Sequence, residues 1–542
     1  MSTNTADESF HPLGEEWESQ LTAMLDETEY DTELGLDMAR DAQRLVAGEL
    51  TEAEFHEKYH EQVLAEFGED ERPTAEAYEE AQAADGGGLL DAIASLGEGD
   101  SEQGRREVMK KMGAGGAFLG LGALATAEDH VGDDGIASAS HDGHEGVQWG
   151  MTIDLEVCDG CLTCVTACSE ENNLDQGVNW MYVLAYEDDT VSVPDDPGIR
   201  DYPYLVRPCQ HCTDAPCEKV CPTTARHTRA KDGLVLTDYD ICIGCRYCQV
   251  ACPYGVNYFQ WGEPDVSEGA IAAQSEEMGH DGDHIRDERG RRVDSRAPRG
   301  VMSKCTFCPT RQDGYMGDDM VGTTACMQAC PPGAIQFGDV NDPSSDASIY
   351  AEYPALGRAI EHLFGTARNV PSVDDVEAEL DDAEIQDVVD TFEVDYGDLS
   401  ALVSIVVLTD EIEYDEDSPR IRSFAADIED ARELVAAFED AGIDFEDDEV
   451  RSVLRLGDME VDDAEAALES AYGTAESSFK LLEEIGTNPN INYIGHEPGP
   501  SAEQVDHYIA YADLTYERAD GSQPNLMDNL MDRVDRSTVR GR

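Results

Sequence analysis

Lysine is nearly absent from this chain. Of its 36 basic residues only seven are lysine, and they face 118 acidic residues across 542 positions, for a formal net charge of −82. Nucleic acid is thereby excluded as a partner, because phosphate binding needs a basic stripe and none occurs. The acidic excess runs from Asp7 to beyond residue 470, so it is not a local tail. Self-repulsion on this scale strains a folded chain in dilute buffer. Salt at 1 M cuts the Debye length to roughly 3 Å and removes most of that repulsion, so the chain is expected to work in concentrated salt. Long apolar runs are missing as well: none reaches the roughly 18 residues that span a bilayer, which predicts a soluble or peripheral protein. Catalytic signatures are also missing, with no Gly-x-Ser-x-Gly, His-Glu-x-x-His or Walker loop.

Cysteine, by contrast, is abundant and ordered. All 16 fall into four groups of four: Cys158, Cys161, Cys164 and Cys168; Cys209, Cys212, Cys217 and Cys221; Cys242, Cys245, Cys248 and Cys252; Cys305, Cys308, Cys326 and Cys330. Proline follows the last cysteine of the second, third and fourth groups, as Pro222, Pro253 and Pro331. Three thiolates on one tight loop reach three irons of a cubane, and the fourth reaches away. In two-cluster ferredoxins that fourth cysteine ligates the partner cluster, so such runs work in pairs. The pattern predicts an α+β fold containing two ferredoxin-like modules and four [4Fe–4S] clusters, all sixteen cysteines binding cluster iron and no residue acting catalytically. A disulfide framework belongs to short secreted domains and does not suit this length. Zinc stays open at the last run alone, where Cys305/Cys308 and Cys326/Cys330 could form two ligand pairs.

Residues 1–100 read as an acidic helical region, with Leu21, Met24, Leu25, Leu45 and Val46 at helical spacing and a capping box at Thr51 and Glu54 opening a helix toward Phe67. His56 and His60 lie one turn apart and read as a solvated helix face. Residues 101–147 hold Arg105-Arg106, a Gly/Ala-rich stretch over 113–127 ending in Ala125-Thr126-Ala127, and a polar linker, a pattern similar to a twin-arginine export signal placed unusually far along the chain. The cluster domain covers 148–341, with strands expected over Trp149–Val157 and Leu234–Asp238 and a charged surface loop over 262–298. Residues 342–480 read as an acidic, mainly helical insertion with helices over Ile428–Phe438 and Val461–Ala471. Leu402–Leu408 fits a strand or a buried helix equally. Residues 481–542 form a closing segment and tail.

The stretches MTIDLEVCDGCLTCVTACSEENN, YLVRPCQHCTDAPCEKVCPTTARHTRAKDGLVLTDYDICIGCRYCQVACPYGVNYF, GVMSKCTFCPTRQDGYM and TTACMQACPPGAIQFGDVNDPSS resemble the iron–sulfur electron-transfer (beta) subunit of complex iron–sulfur molybdoenzymes, the dimethyl sulfoxide, polysulfide, thiosulfate and tetrathionate reductase group. LLEEIGTNPNINYI at Leu481–Ile494 resembles that family's closing segment. The resemblance implies crossed ligation: Cys158, Cys161 and Cys164 with Cys330; Cys305, Cys308 and Cys326 with Cys168; Cys209, Cys212 and Cys217 with Cys252; Cys242, Cys245 and Cys248 with Cys221. It also implies a molybdopterin-containing catalytic subunit and a polytopic quinone-linked membrane anchor as partners. The expected location is peripheral on the cytoplasmic membrane, at its outer face if the arginine pair acts, otherwise cytoplasmic. A quinol-oxidising respiratory complex or a hydrogenase is the alternative setting. Ser169 stands where the other three runs carry proline.

Overall fold

A computed structural model describes residues 15–87, 146–175, 177–188, 202–365, 368–410, 423–499 and 502–505. Arg105, Arg106 and the 113–127 stretch lie outside the described residues. The first elements are four helices, α1 (Glu15–Leu25), α2 (Thr32–Val46), α3 (Glu52–Phe67) and α4 (Ala75–Gly87). Asp31 caps α2 by accepting from the Leu34 amide at 2.8 Å. The Thr51–Glu54 capping box opens α3, and Gly68 closes it in the left-handed region at φ +82°. Met38, Phe55 and Val63 are fully buried, and they belong to the same apolar core as the cysteine-bearing domain. Each such side chain contributes about 1.5–3 kcal/mol of burial.

Eleven strands follow in the described residues: β1 (Trp149–Asp154), β2 (Tyr182–Glu187), β3 (Tyr204–Arg207), β4 (Arg226–Thr228), β5 (Val235–Thr237), β6 (Tyr258–Phe259), β7 (Met302–Ser303), β8 (Ile335–Asp339), β9 (Ser478–Phe479), β10 (Ile491–Ile494) and β11 (Glu503–Gln504). The largest sheet has the order β8-β1-β10-β9. Strand β1 is its centre, antiparallel to β8 (Met151 opposite Phe337) and parallel to β10 (Met151 opposite Ile491). Every residue of β1 is buried, so its sequence carries no period-two alternation. It ends at Asp154, three residues short of the expected Val157, because the Asp154 carboxylate accepts from the Glu156 amide at 2.9 Å and turns the chain.

Between β8 and β9 the chain builds a helical body around α7 (Pro354–Phe364), α8 (Tyr396–Thr409), α9 (Phe424–Asp440) and α10 (Val461–Tyr472), with a core of its own that includes Leu363, Leu402, Ile405 and Leu434. The ambiguous Leu402–Leu408 run is helix, buried inside this body. Arg358 of α7 ties the body to the sheet. Its Nε donates to Asp154 Oδ2 at 2.7 Å, Tyr350 donates to the same oxygen at 3.0 Å, and a second nitrogen reaches Glu156.

The 262–298 stretch departs from the expected surface loop. It contains α6 (Glu268–Met278), which follows α5 (Thr163–Glu171) of the first cysteine run, and its 293–297 segment is buried. Asp294 lies at 1% exposure and receives hydrogen bonds from the Thr310 amide at 3.1 Å and the Thr310 hydroxyl. Charged residues read as solvent-facing are here satisfied internally, which composition does not reveal.

Candidate metal centre

Local backbone chemistry shapes the cysteine loops. Gly160 and Gly244, each one residue before the second cysteine of its run, have φ of +63° and +69°. A Cβ at Gly160 would lie 2.3 Å from the Tyr204 ring, and one at Gly244 would lie 2.1 Å from the Gly300 carbonyl. Leu162, His211, Arg246 and Phe307 also take positive φ, so every run coils on itself. On α5, Cys164 and Cys168 stand one turn apart, which sends the second thiol to a deeper level than the first.

All sixteen thiols are free. One cavity is lined by Cys168, Cys305, Cys308 and Cys326 against Met151, Trp180 and Phe307. A second is lined by Cys209, Cys212, Cys217 and Cys252 against Val235, Tyr254, Val256 and Lys304. Elsewhere Cys164 is surrounded by Cys326, Cys330, Cys158 and Cys161, and Cys245 by Cys248, Cys221 and Cys242. Each gathering includes at least one thiol from a different run. The cavity at Cys305, Cys308 and Cys326 is lined by Cys168 and not by Cys330, an arrangement unlike two ligand pairs converging on one tetrahedral zinc.

Burial pushes these thiols up: Cys158 to about 11, and Cys242, Cys305 and Cys330 to about 12. Metal uptake therefore displaces protons from neutral thiols. Donors to sulfur are already in place, with the Arg226 amide 3.3 Å from Cys221 Sγ, the Thr324 hydroxyl 3.2 Å from Cys326 Sγ and Asn172 Nδ2 3.6 Å from Cys168 Sγ. Enclosed four-thiol sets with donors aimed at sulfur fit a cubane iron–sulfur cluster.

The sites adjoin one another. His211, between Cys209 and Cys212, donates from Nε2 to the Cys305 carbonyl at 3.0 Å and accepts at Nδ1 from the Val235 amide at 3.0 Å. Its ring stacks on Phe307 at 3.8 Å between centroids. Burial first, then Lys304, holds this imidazole well below its usual pKa, hence neutral. Sequence reasoning passed over His211, whose only signal is its place inside a Cys-x2-Cys loop.

Two other features escaped the sequence. The end of α1 and the start of α2 cover the third run: Arg246 donates to the Met24 carbonyl at 2.9 Å, and Tyr247 donates to the Asp31 carbonyl at 2.7 Å. His56 is not on a solvated face; it is 2% exposed, bonded to the Thr74 hydroxyl at 3.1 Å. His56, His60 and Asp70 offer ligand atoms within 4.8 Å of one another. Arg72, however, already holds both Asp70 oxygens at 2.7 Å, and burial followed by the Arg72 charge lowers His56 to about 4. This is a buried ion-pair network that fastens α3 to the chain before α4.

The fold and its thiol sites define a multi-cluster iron–sulfur electron carrier of mixed helices and strands. Residues 11–75 match a family model described as the N-terminal region of 4Fe-4S ferredoxin iron-sulfur binding, and residues 200–286 match a 4Fe-4S dicluster domain. The chain is 40% identical over 214 residues to a Halobacterium salinarum protein named as a dimethyl sulfoxide reductase iron-sulfur subunit, covering 38% of this chain and 71% of that one. It is 38% identical to the arsenate respiratory reductase iron-sulfur subunit of Shewanella sp. strain ANA-3 (37% and 85% covered) and 36% identical to the iron-sulfur cluster-binding subunit of menaquinone reductase from Nitratidesulfovibrio vulgaris (36% and 77%). The chain belongs to the family of iron–sulfur electron-transfer subunits of complex iron–sulfur molybdoenzymes, and its cofactors are four [4Fe–4S] clusters. No described helix is long and apolar enough to cross a membrane.

Proposed function

We propose that this chain relays single electrons between a molybdopterin-containing catalytic subunit and a polytopic, quinone-linked membrane anchor. The observation that carries the reading is the adjoining of four-thiol sites through His211 and Phe307, which leaves little more than one stacked pair between two of them. Bound clusters would supply one-electron exchange; the chain's residues hold them, shield them and set their surroundings. The ligand sets are crossed: Cys158, Cys161, Cys164 and Cys330; Cys168, Cys305, Cys308 and Cys326; Cys209, Cys212, Cys217 and Cys252; Cys221, Cys242, Cys245 and Cys248. The first and fourth runs thus form one ferredoxin-like module and the second and third the other. The cluster domain, 148–341, is completed by the closing segment from residue 481, with 342–480 inserted between them and 1–100 as an acidic helical region.

Partner docking is supported by apolar exposure beside one site. Ile241 and Ile243, on either side of Cys242, are 41% and 38% exposed, and Trp261 is 42% exposed with its ring 4.1 Å from the Arg246 guanidinium. Such side chains on a strongly acidic surface suit a largely apolar partner. The Arg105-Arg106 pair and the Ala125-Thr126-Ala127 end of the stretch after it support export to the outer face of the cytoplasmic membrane; without a working signal the subunit stays on the cytoplasmic side.

Anaerobic purification from membranes tests the assignment: about sixteen irons and sixteen labile sulfides per chain are expected, with a molybdopterin subunit and a polytopic subunit co-purifying. Cys168→Ser should alter the spectroscopic signal of the site built on Cys305, Cys308 and Cys326, while Cys158→Ser alters another. Eight irons, or one signal perturbed by both variants, would refute the crossed sets.

A further inference from the structure

In a chain with 118 acidic and 36 basic residues, buried cations find carboxylates readily. Arg72 pairs with Asp70, Arg229 with Asp232 and Asp313, Arg311 with Glu171, and Arg358 with Asp154. Three buried cations break this rule among the described residues: Arg296, which donates to the Val266 carbonyl, and two that are buried far more deeply. Arg226, 1% exposed, and Lys304, 2% exposed, form no carboxylate ion pair among the described residues. Lys304 donates only to the backbone carbonyls of Val235 and Cys305, the latter at 2.9 Å. Arg226 donates through Nη2 to Asn257 Oδ1 at 2.6 Å and lies 3.7 Å from Cys248 Sγ, while its buried Nε and Nη1 have no partner. An uncompensated buried charge costs several kcal/mol, so a negative counter-charge is required close by.

Both side chains stand at thiols. Lys304 lines the cavity of Cys209, Cys212, Cys217 and Cys252. Arg226 faces Cys248, Cys217 and Cys209, placing it between two sites, and its own backbone amide reaches Cys221 Sγ. Asn257 fixes the guanidinium there, since its Nδ2 also donates to the Cys248 carbonyl at 3.1 Å. We infer that Arg226 and Lys304 are potential-setting residues, two buried cations whose counter-charge is the metal-bound sulfur of the Cys209/Cys212/Cys217/Cys252 and Cys221/Cys242/Cys245/Cys248 sites. The inference rests on the ligand sets proposed above.

The physical consequence has a definite sign. Reduction brings one electron, and no proton, from the electron-donating subunit to a site, adding one negative charge. A fixed cation a few ångströms away stabilises the reduced form more than the oxidised one, and low dielectric strengthens the effect. The other two sites are less biased, although Lys304 also stands beside Cys305. At the Cys308 site the Arg311 charge is cancelled by Glu171 at 2.7 Å. At the Cys158 site the neighbouring charges are Asp159 and Asp154, and Cys161 is exposed. The two sites built on the second and third runs therefore hold an electron more tightly than the Cys158 site.

The test is an EPR-monitored redox titration of the full-length, iron-loaded protein carrying Arg226→Met, Arg226→Lys or Lys304→Met, with iron counted in each. Each neutral variant is expected to keep about sixteen irons and to lower the midpoint of at least one of the two sites. The expected size is at least ~tenfold in the reduction equilibrium, ~59 mV for a one-electron couple. Arg226→Lys should stay close to wild type. If Arg226→Met loses iron, Arg226→Gln, neutral but polar, takes its place, and Lys304→Met tests the second cation independently. Unchanged midpoints with full iron in the neutral variants, or an equal drop in Arg226→Lys, would overturn the inference. A wild-type protein with about eight irons would instead refute the ligand sets, before any variant is made.

Discussion

Single residues carry much of this molecule's long-range order, and Asp154 is the clearest case. It is fully buried at the end of β1 and receives the Arg358 guanidinium, the Tyr350 hydroxyl and the Glu156 amide. Because Arg358 belongs to α7, this carboxylate joins the central sheet to the inserted helical body. Removing one partner of a buried pair leaves the other uncompensated, at a cost of about 3–5 kcal/mol. Asp154→Asn is therefore expected to lower stability by about that amount in denaturant unfolding. The double variant Asp154→Asn with Arg358→Met, which buries no orphan guanidinium, should cost less than the two single variants added together. A cost under about 1 kcal/mol for Asp154→Asn would show that water or Glu156 already carries the load.

At the level of elements, covalently local chemistry was readable and distant packing was not. The cysteine loops were legible because spacing within a run fixes which thiols share a turn, and the capping box at Thr51 and Glu54 was legible because it needs only four residues. Leu402–Leu408 was not, since a uniformly apolar run has no period to distinguish a buried helix from a strand. Nor was the parallel pairing of β10 with β1, formed by residues more than three hundred positions apart. His56 was misread for a related reason: its burial comes from Thr74 and Tyr78, outside its own helix. The docking of α2 on the third run belongs to this class too. Gly35 faces Tyr247 so closely that a Cβ would lie 2.6 Å from the ring. Gly35→Leu should lift α2 off that loop at a cost of about 1–3 kcal/mol, the usual penalty of overpacking. The expected readouts are faster proteolysis within residues 15–87 and faster oxidative bleaching of the cluster absorbance. Unchanged rates of both would mean that α2 does not shield the third run.

For the whole molecule, charge and a shared core pull in different directions. With −82 formal charges, repulsion grows as the Debye length lengthens from roughly 3 Å at 1 M salt to 10 Å at 0.1 M. The melting temperature should fall over that range, and a constant value would contradict adaptation to concentrated salt. Cohesion comes from the apolar core, in which Leu25, Met38 and Phe55 pack in one cluster with Tyr247, Val250 and Met302. The sequence sets Arg105-Arg106 and Ala125-Thr126-Ala127 between these two contributors. Cutting the chain after Ala127 would remove a peptide bond but none of these contacts, nor the hydrogen bond from Arg246 to the Met24 carbonyl. Helices α1–α4 are thus expected to stay with the cluster domain whether or not the intervening segment is processed. Native purification followed by a denaturing gel checks this: either one 59.2 kDa chain or two co-eluting fragments should appear, with about sixteen irons in the native peak. A fully iron-loaded, stable protein lacking residues 15–87 would show that the shared core is dispensable, and the four helices would then have to be regarded as a detachable domain.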